Sequence, residues 1–129
     1  MTAKLVSLML IVAGIIHVLP LAGVLGPERL AALYGLDFSE PNLAILMRHR
    51  AVVIGLLGVF LIYAAFRPSQ QPVAFVAGLI SAFAFLGLAW ATGGYNSLMA
   101  KIVAADVVAL ACLVIGAVSY VLMGTGARS

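Results

Sequence analysis

Apolar residues run almost unbroken through four stretches of this chain, residues 5–25, 43–66, 73–92 and 98–123. A helix that crosses the hydrocarbon core of a bilayer needs roughly 20 mostly apolar residues, and each stretch meets that length. Short polar segments punctuate the last three, residues 67–72 (RPSQQP) and 93–97 (GGYNS). Proline, glycine and amide residues of this kind mark turns. The pattern predicts an all-α integral membrane protein, a four-helix bundle forming one domain over residues 1–129.

Between the first two stretches lie residues 26–42, which carry a helix signal of their own. Pro27 suits the first helical position, Glu28 the first turn, and Gly35 the position just past a helix end. Leu30, Leu33 and Tyr34 fall on one face. A short interfacial helix over residues 27–34 is expected, resting on the membrane or on the bundle. Ser39 is the expected N-cap of the second span, with Pro41 inside its first turn. Pro20 is expected to kink the first span near His17.

Composition agrees with this picture. Of 129 residues, 65% are hydrophobic and 9% charged, against roughly 45–50% and 25% in a soluble domain. Mean hydropathy is +1.24. A water-facing surface and a disordered chain are both excluded. The first stretch follows Lys4 as a signal peptide would, but no small-x-small cleavage site follows it, so it is expected to remain as a span. Net charge is +3, and the seven basic residues form no run, which speaks against nucleic acid as a partner. Lys4, Arg67 and Arg128 fall with the termini and the second loop, Arg29 and Lys101 with the other two loops, so the termini are expected in the cytoplasm. Cys112 is the sole cysteine and reads as a small apolar residue.

The polar residues inside the spans carry most of the information. His17 lies about 12 Å below the loop end of the first span, and Arg48 and Asp106 lie about 8–12 Å into the second and fourth. All three therefore reach one half of the bilayer, with Tyr95, Asn96 and Lys101 at its edge. Small residues mark the sides of membrane helices that pack together. His17 shares a face with Ala13 and Gly14, Arg48 with Ala44, Ala51 and Gly55, and Asp106 with Ala109, Leu113 and Gly116. Intramembrane charge costs at least about 2.5–3.5 kcal/mol, so such groups pair or line a wet cavity. An Arg48–Asp106 pair is expected, either as a structural lock or as an anchor for an anionic or carbonyl ligand. His17 is either a hydrogen-bonded core residue or a proton relay. Arg50 lies about 200° around the helix from Arg48, so His49 and Arg50 are expected to reach headgroups or another subunit. The third span, with its stripe Ala74, Gly78 and Ala82, is expected to supply packing. Trp90 and Tyr95 read as interface anchors. No catalytic motif, metal set or cofactor fingerprint stands out.

Residues 29–35 (RLAALYG), 41–51 (PNLAILMRHRA), 94–96 (GYN) and 105–109 (ADVVA) resemble a family of small four-helix bacterial inner-membrane proteins. Members of that family often carry the label phosphopantetheine adenylyltransferase. The label does not suit this chain, which has no nucleotide-binding α/β pattern and no Thr/Ser-x-Gly-His around His17 or His49. The outline is also similar, more distantly, to DoxX-like membrane proteins. The resemblance implies the fold and a multi-pass place in the bacterial inner membrane, and it implies no catalytic residue. The membrane proteins of eicosanoid and glutathione metabolism are four-helix proteins of similar length, but the Asn and Glu that bind glutathione on their second helix have no counterpart here. A non-enzymatic protein is expected, binding a lipid or quinone-like amphiphile or serving as an accessory subunit. A small enzyme using His17 and Arg48 and a proton-coupled transporter are the competing readings. Membrane lipids are the expected partners, and broad small-residue faces favour a homo-oligomer or a place in a larger complex.

Overall fold

The computed structural model describes residues 2–126. Its elements are α1 (Thr2–Val18), a 3₁₀ segment (Leu19–Leu25), α2 (Pro27–Tyr34), α3 (Pro41–Ala65), a 3₁₀ turn (Pro68–Gln70), α4 (Gln71–Thr92) and α5 (Ser97–Gly126), with no strand among the described residues. Four helical stretches, Thr2–Leu25, Pro41–Ala65, Pro68–Thr92 and Ser97–Gly124, are long and apolar enough to cross a membrane. The chain is thus a multi-pass membrane protein, and most side chains left uncovered by protein on these helices are apolar. Arg128 lies outside the described residues.

The helices form an up-down-up-down bundle in which α1 touches α3 and α5, and α4 closes the ring between them. The α1–α3 seam is the closest approach. A Cβ built on Gly58 would stand 2.6 Å from the Gly14 carbonyl oxygen, and one on Gly14 would stand 2.7 Å from that of Gly58. Backbones can meet this closely only where both residues lack a side chain, and membrane helices gain from such contact because apolar side chains find lipid as good a solvent as each other. Further along the seam Ser7 Oγ donates to the Ala65 carbonyl at 2.7 Å, satisfying an acceptor left over at the end of α3.

The two ends of the bundle differ. Toward the termini, Val6, Leu10, Leu61, Ala74, Phe75 and Leu113 belong to one close-packed cluster. Toward the first loop the helices separate, and α2 folds back over the gap. Leu30 and Tyr34 of α2 and Phe38 after it are buried against Met47, Met99 and Ile102. The interfacial helix expected over residues 27–34 is therefore docked on the bundle. Gly35 ends it in the left-handed region, with φ +70°, where a glycine is strongly favoured, and its N–H returns to the Ala31 carbonyl.

Two local expectations are corrected. Pro20 does more than kink the first span. It offers no N–H to the Ile16 carbonyl, and the α-helix gives way at Val18 to a 3₁₀ segment that completes the crossing. The N-cap of α3 is Glu40 and not Ser39. Pro41 occupies the first helical position, and Glu40 accepts from the N–H groups of Asn42 at 3.0 Å and Leu43 at 2.8 Å. Ser39 is engaged elsewhere, its N–H donating to Asp37 Oδ1 at 2.9 Å.

Those two backbone bonds, Asn42 first, hold the Glu40 carboxyl below its ordinary value of 4.5. A depressed folded-state pKa means stabilisation that is present above the unfolded value and lost as pH falls through the folded one. Glu40→Ala is expected to melt below wild type at pH 7. The gap should close progressively on acidification below about pH 4.5, as followed by helical circular dichroism in detergent.

Candidate functional site

At the open end of the bundle lies a cavity of about 330 Å³, within the range of small-molecule sites. Its polar groups come from four helices: His17 of α1, Arg50 of α3, Ser81 of α4, and Asp106 and Lys101 of α5. Tyr34 of α2 closes it from the loop side, and the remaining walls are largely apolar.

His17 is 4% exposed. Its Nδ1 stands 2.7 Å from the Ala13 carbonyl one turn back. A carbonyl only accepts, so Nδ1 carries the proton and Nε2 presents a lone pair when the ring is neutral. Among the described residues, Nε2 and the buried Asp106 Oδ2 have no hydrogen-bond partner. The cavity thus holds an imidazole nitrogen and a carboxylate oxygen that protein leaves unsatisfied, a costly arrangement at membrane depth.

Arg50 is the fixed cation of the site. Its Nη1 donates to Tyr34 Oη at 2.8 Å. The guanidinium carbon stands 5.8 Å from the centre of the Tyr34 ring and 5.6 Å from that of Phe85, within the range of cation–π attraction. Tyr34→Phe keeps the ring contact but removes the acceptor. It is expected to lower the unfolding free energy by about 1 kcal/mol, measured by reversible unfolding in mixed micelles.

The structure brings together His17 and Asp106, as the sequence predicts, but with the other arginine. Arg48 lies outside the cavity, exposed, with its Nε donating to the Val24 carbonyl at 2.8 Å. Residues two apart on a helix face nearly opposite ways. The stripe Ala44, Ala51, Gly55 marks the seam with the first span: a Cβ on Gly55 would stand 2.7 Å from Leu21. That seam is too close for a cavity, and Arg48 at its open end caps a carbonyl left over by the 3₁₀ segment. The cavity forms on the adjoining face, where Arg50 and Ile54 line a space between separated helices. No Arg48–Asp106 pair forms, and Arg50 turns into the bundle rather than toward headgroups.

Other placements follow the same geometry. His49 is exposed on α3, and Lys101 is exposed at the cavity rim. Asn96 is a clasp rather than a cavity residue. Its Oδ1 accepts from Met99 N–H, capping α5, while its Nδ2 donates to the Tyr34 carbonyl, both at 2.8 Å. Asn96 thereby holds Tyr34 where Arg50 needs it. Tyr95 lines a second cavity, described below. Trp90 is 87% exposed on α4. The stripe on α4 does pack, with Ala74, Gly78 and Ala82 buried, yet α4 also contributes Ser81 and Phe85 to the site. Tyr34 was read only as part of the apolar face of α2, and Phe85 and Val24 were missing from the sequence reading. Aromatic residues in apolar helices carry no mark that separates a cavity wall from a core. Among the described residues, no three His, Cys, Asp or Glu side chains gather as a metal would require. Comparison with family models, with curated proteins and with solved structures gave no match.

Proposed function

We propose that this protein binds the polar head of a membrane-dissolved amphiphile, a lipid or quinone-like molecule, in the cavity between His17, Arg50 and Asp106. One observation carries the reading: two buried polar atoms, His17 Nε2 and Asp106 Oδ2, have no protein partner and border the same cavity as a guanidinium. Buried polar groups are satisfied in nearly all folded proteins, so a ligand or water belongs there. The apolar walls suit the body of a hydrophobic molecule, and the polar groups fix its orientation. In this reading the chain resides in a bacterial inner membrane with cytoplasmic termini, alone or as part of an oligomer or larger complex.

Native mass spectrometry of protein extracted in mild detergent tests the reading. Wild type is expected to retain a co-purified amphiphile, and the double variant His17→Leu/Asp106→Leu to retain at least tenfold less. Equal retention, or none in wild type after gentle extraction, would count against it.

The same two atoms also support proton handling, either as acid–base chemistry or in transport. Both sites bind a proton, and they share one compartment. A pH-dependent flux in reconstituted liposomes that is lost in Asp106→Asn would favour this second reading over simple binding.

A further inference from the structure

We infer that the His17–Arg50–Asp106 cavity continues past a side-chain partition into a second, apolar chamber. Together the two take one ligand, a single-chain amphiphile with an anionic head that reaches the site from the bilayer between α3 and α4. The inference rests on the proposed function of the first cavity and adds the class of ligand and its route.

The second chamber measures about 450 Å³. It lies between α3 and α4 at the open end of the bundle, walled by Met47, Leu88 and Ala89, with Leu36, Leu43 and Thr92 also on its lining. Leu36, Leu43 and Leu88 are uncovered by protein, so acyl chains have direct access to this side. Tyr34, Arg50 and Phe85 line both chambers, and Arg50 is the only charged residue on the second. The wall between them thus includes a guanidinium held between two rings.

That wall can open. Arg50 is held by one hydrogen bond to a neutral hydroxyl and by two ring faces. A carboxylate or phosphate offers the guanidinium shorter, charge-assisted and bidentate bonds, which are stronger than a neutral contact. An anionic head would draw Arg50 away from Tyr34 and bring the chambers into continuity. Charge selects the head. Arg50 and Lys101 outnumber Asp106 around the first cavity, so an anion is favoured and a quaternary ammonium is not. His17 Nε2 and Asp106 Oδ2 are acceptors, so they call for a donor on the head: a phosphate monoester supplies one through its remaining acid proton or a neighbouring hydroxyl, and an ionised carboxylate supplies one only through a bridging water. The second chamber is a single apolar trough, which fits one hydrocarbon chain.

The test uses full-length protein in nanodiscs, with sodium oleate and monooleoyl phosphatidate as long-chain probes and sodium hexanoate as a short one. Binding is read from the assigned His17 side-chain NMR signals. Wild type is expected to respond to hexanoate at millimolar and to a long-chain probe at far lower concentration, with dioleoyl phosphatidate and oleyl alcohol weaker by at least tenfold. Whichever of oleate and monooleoyl phosphatidate binds more tightly identifies the head as carboxylate or phosphate. Ala89→Trp and Thr92→Trp, two separate fillings of the second chamber, are expected to weaken long-chain binding at least tenfold and leave hexanoate within twofold. Unchanged long-chain binding in both folded variants would overturn the inference and leave the first site intact, and loss of both probe lengths together would overturn the separation into two chambers. Long-chain binding that leaves His17 unmoved would also overturn it. Failure of every probe to act on wild type would remove the proposed function as well.

Discussion

Gly58→Val is expected to abolish the folded bundle in detergent, and Gly58→Ala to cost about 1–3 kcal/mol. The new Cβ would stand 2.6 Å from the Gly14 carbonyl oxygen and 2.9 Å from the Val18 nitrogen. Both are backbone atoms, so no rotamer change relieves the clash and the α1–α3 seam must open. Gly87→Ala is the control. A Cβ there meets nothing within 4 Å, and alanine favours an α-helix over glycine by up to about 1 kcal/mol. It should be neutral or slightly stabilising. The seam also places the site, because His17 follows Gly14 by about one turn. A seam opened by Gly58→Ala should therefore also disturb the His17 NMR signals, which Gly87→Ala should leave alone.

Arg50→Met is expected to lower stability by about 2 kcal/mol, from the lost bond to Tyr34 and two lost ring contacts. The same variant should lose co-purified amphiphile by at least tenfold. Arg48→Met is expected to cost about 1 kcal/mol or less and to keep the amphiphile, because Arg48 is exposed, lies outside the cavity and hydrogen-bonds the Val24 carbonyl. Reversible unfolding in mixed micelles separates the first effect, and native mass spectrometry the second. The contrast between two arginines two positions apart removes generic charge effects.

Much of the fold was legible because its causes are local. Four apolar runs of spanning length leave little choice of architecture, and Pro27 and Gly35 bracket α2 through backbone preferences that act within one turn. The depth of His17 and Asp106 followed from counting residues along helices. The identity of the inward arginine was not legible by the rule applied. Small residues mark where backbones touch, and a cavity needs the opposite, a face where long side chains bridge helices that have parted. Ala44, Ala51 and Gly55 therefore pointed to the seam, and the face of Arg50 and Ile54 held the space. The part Tyr34 plays at the site, beyond its place on the apolar face of α2, escaped notice for another reason. Its role depends on α2 folding back and on Asn96, 62 positions away, gripping its carbonyl, and no local pattern encodes that contact.

Asp106 shares its cavity with Arg50 and not with Arg48, and a pair of double-mutant cycles on unfolding free energy tests this placement most directly. Asp106→Leu combined with Arg50→Met is expected to depart from additivity by about 1 kcal/mol or more, as coupled neighbours do, while Asp106→Leu with Arg48→Met should add to within about 0.5 kcal/mol. Coupling in the Arg48 cycle with additivity in the Arg50 cycle would contradict the account.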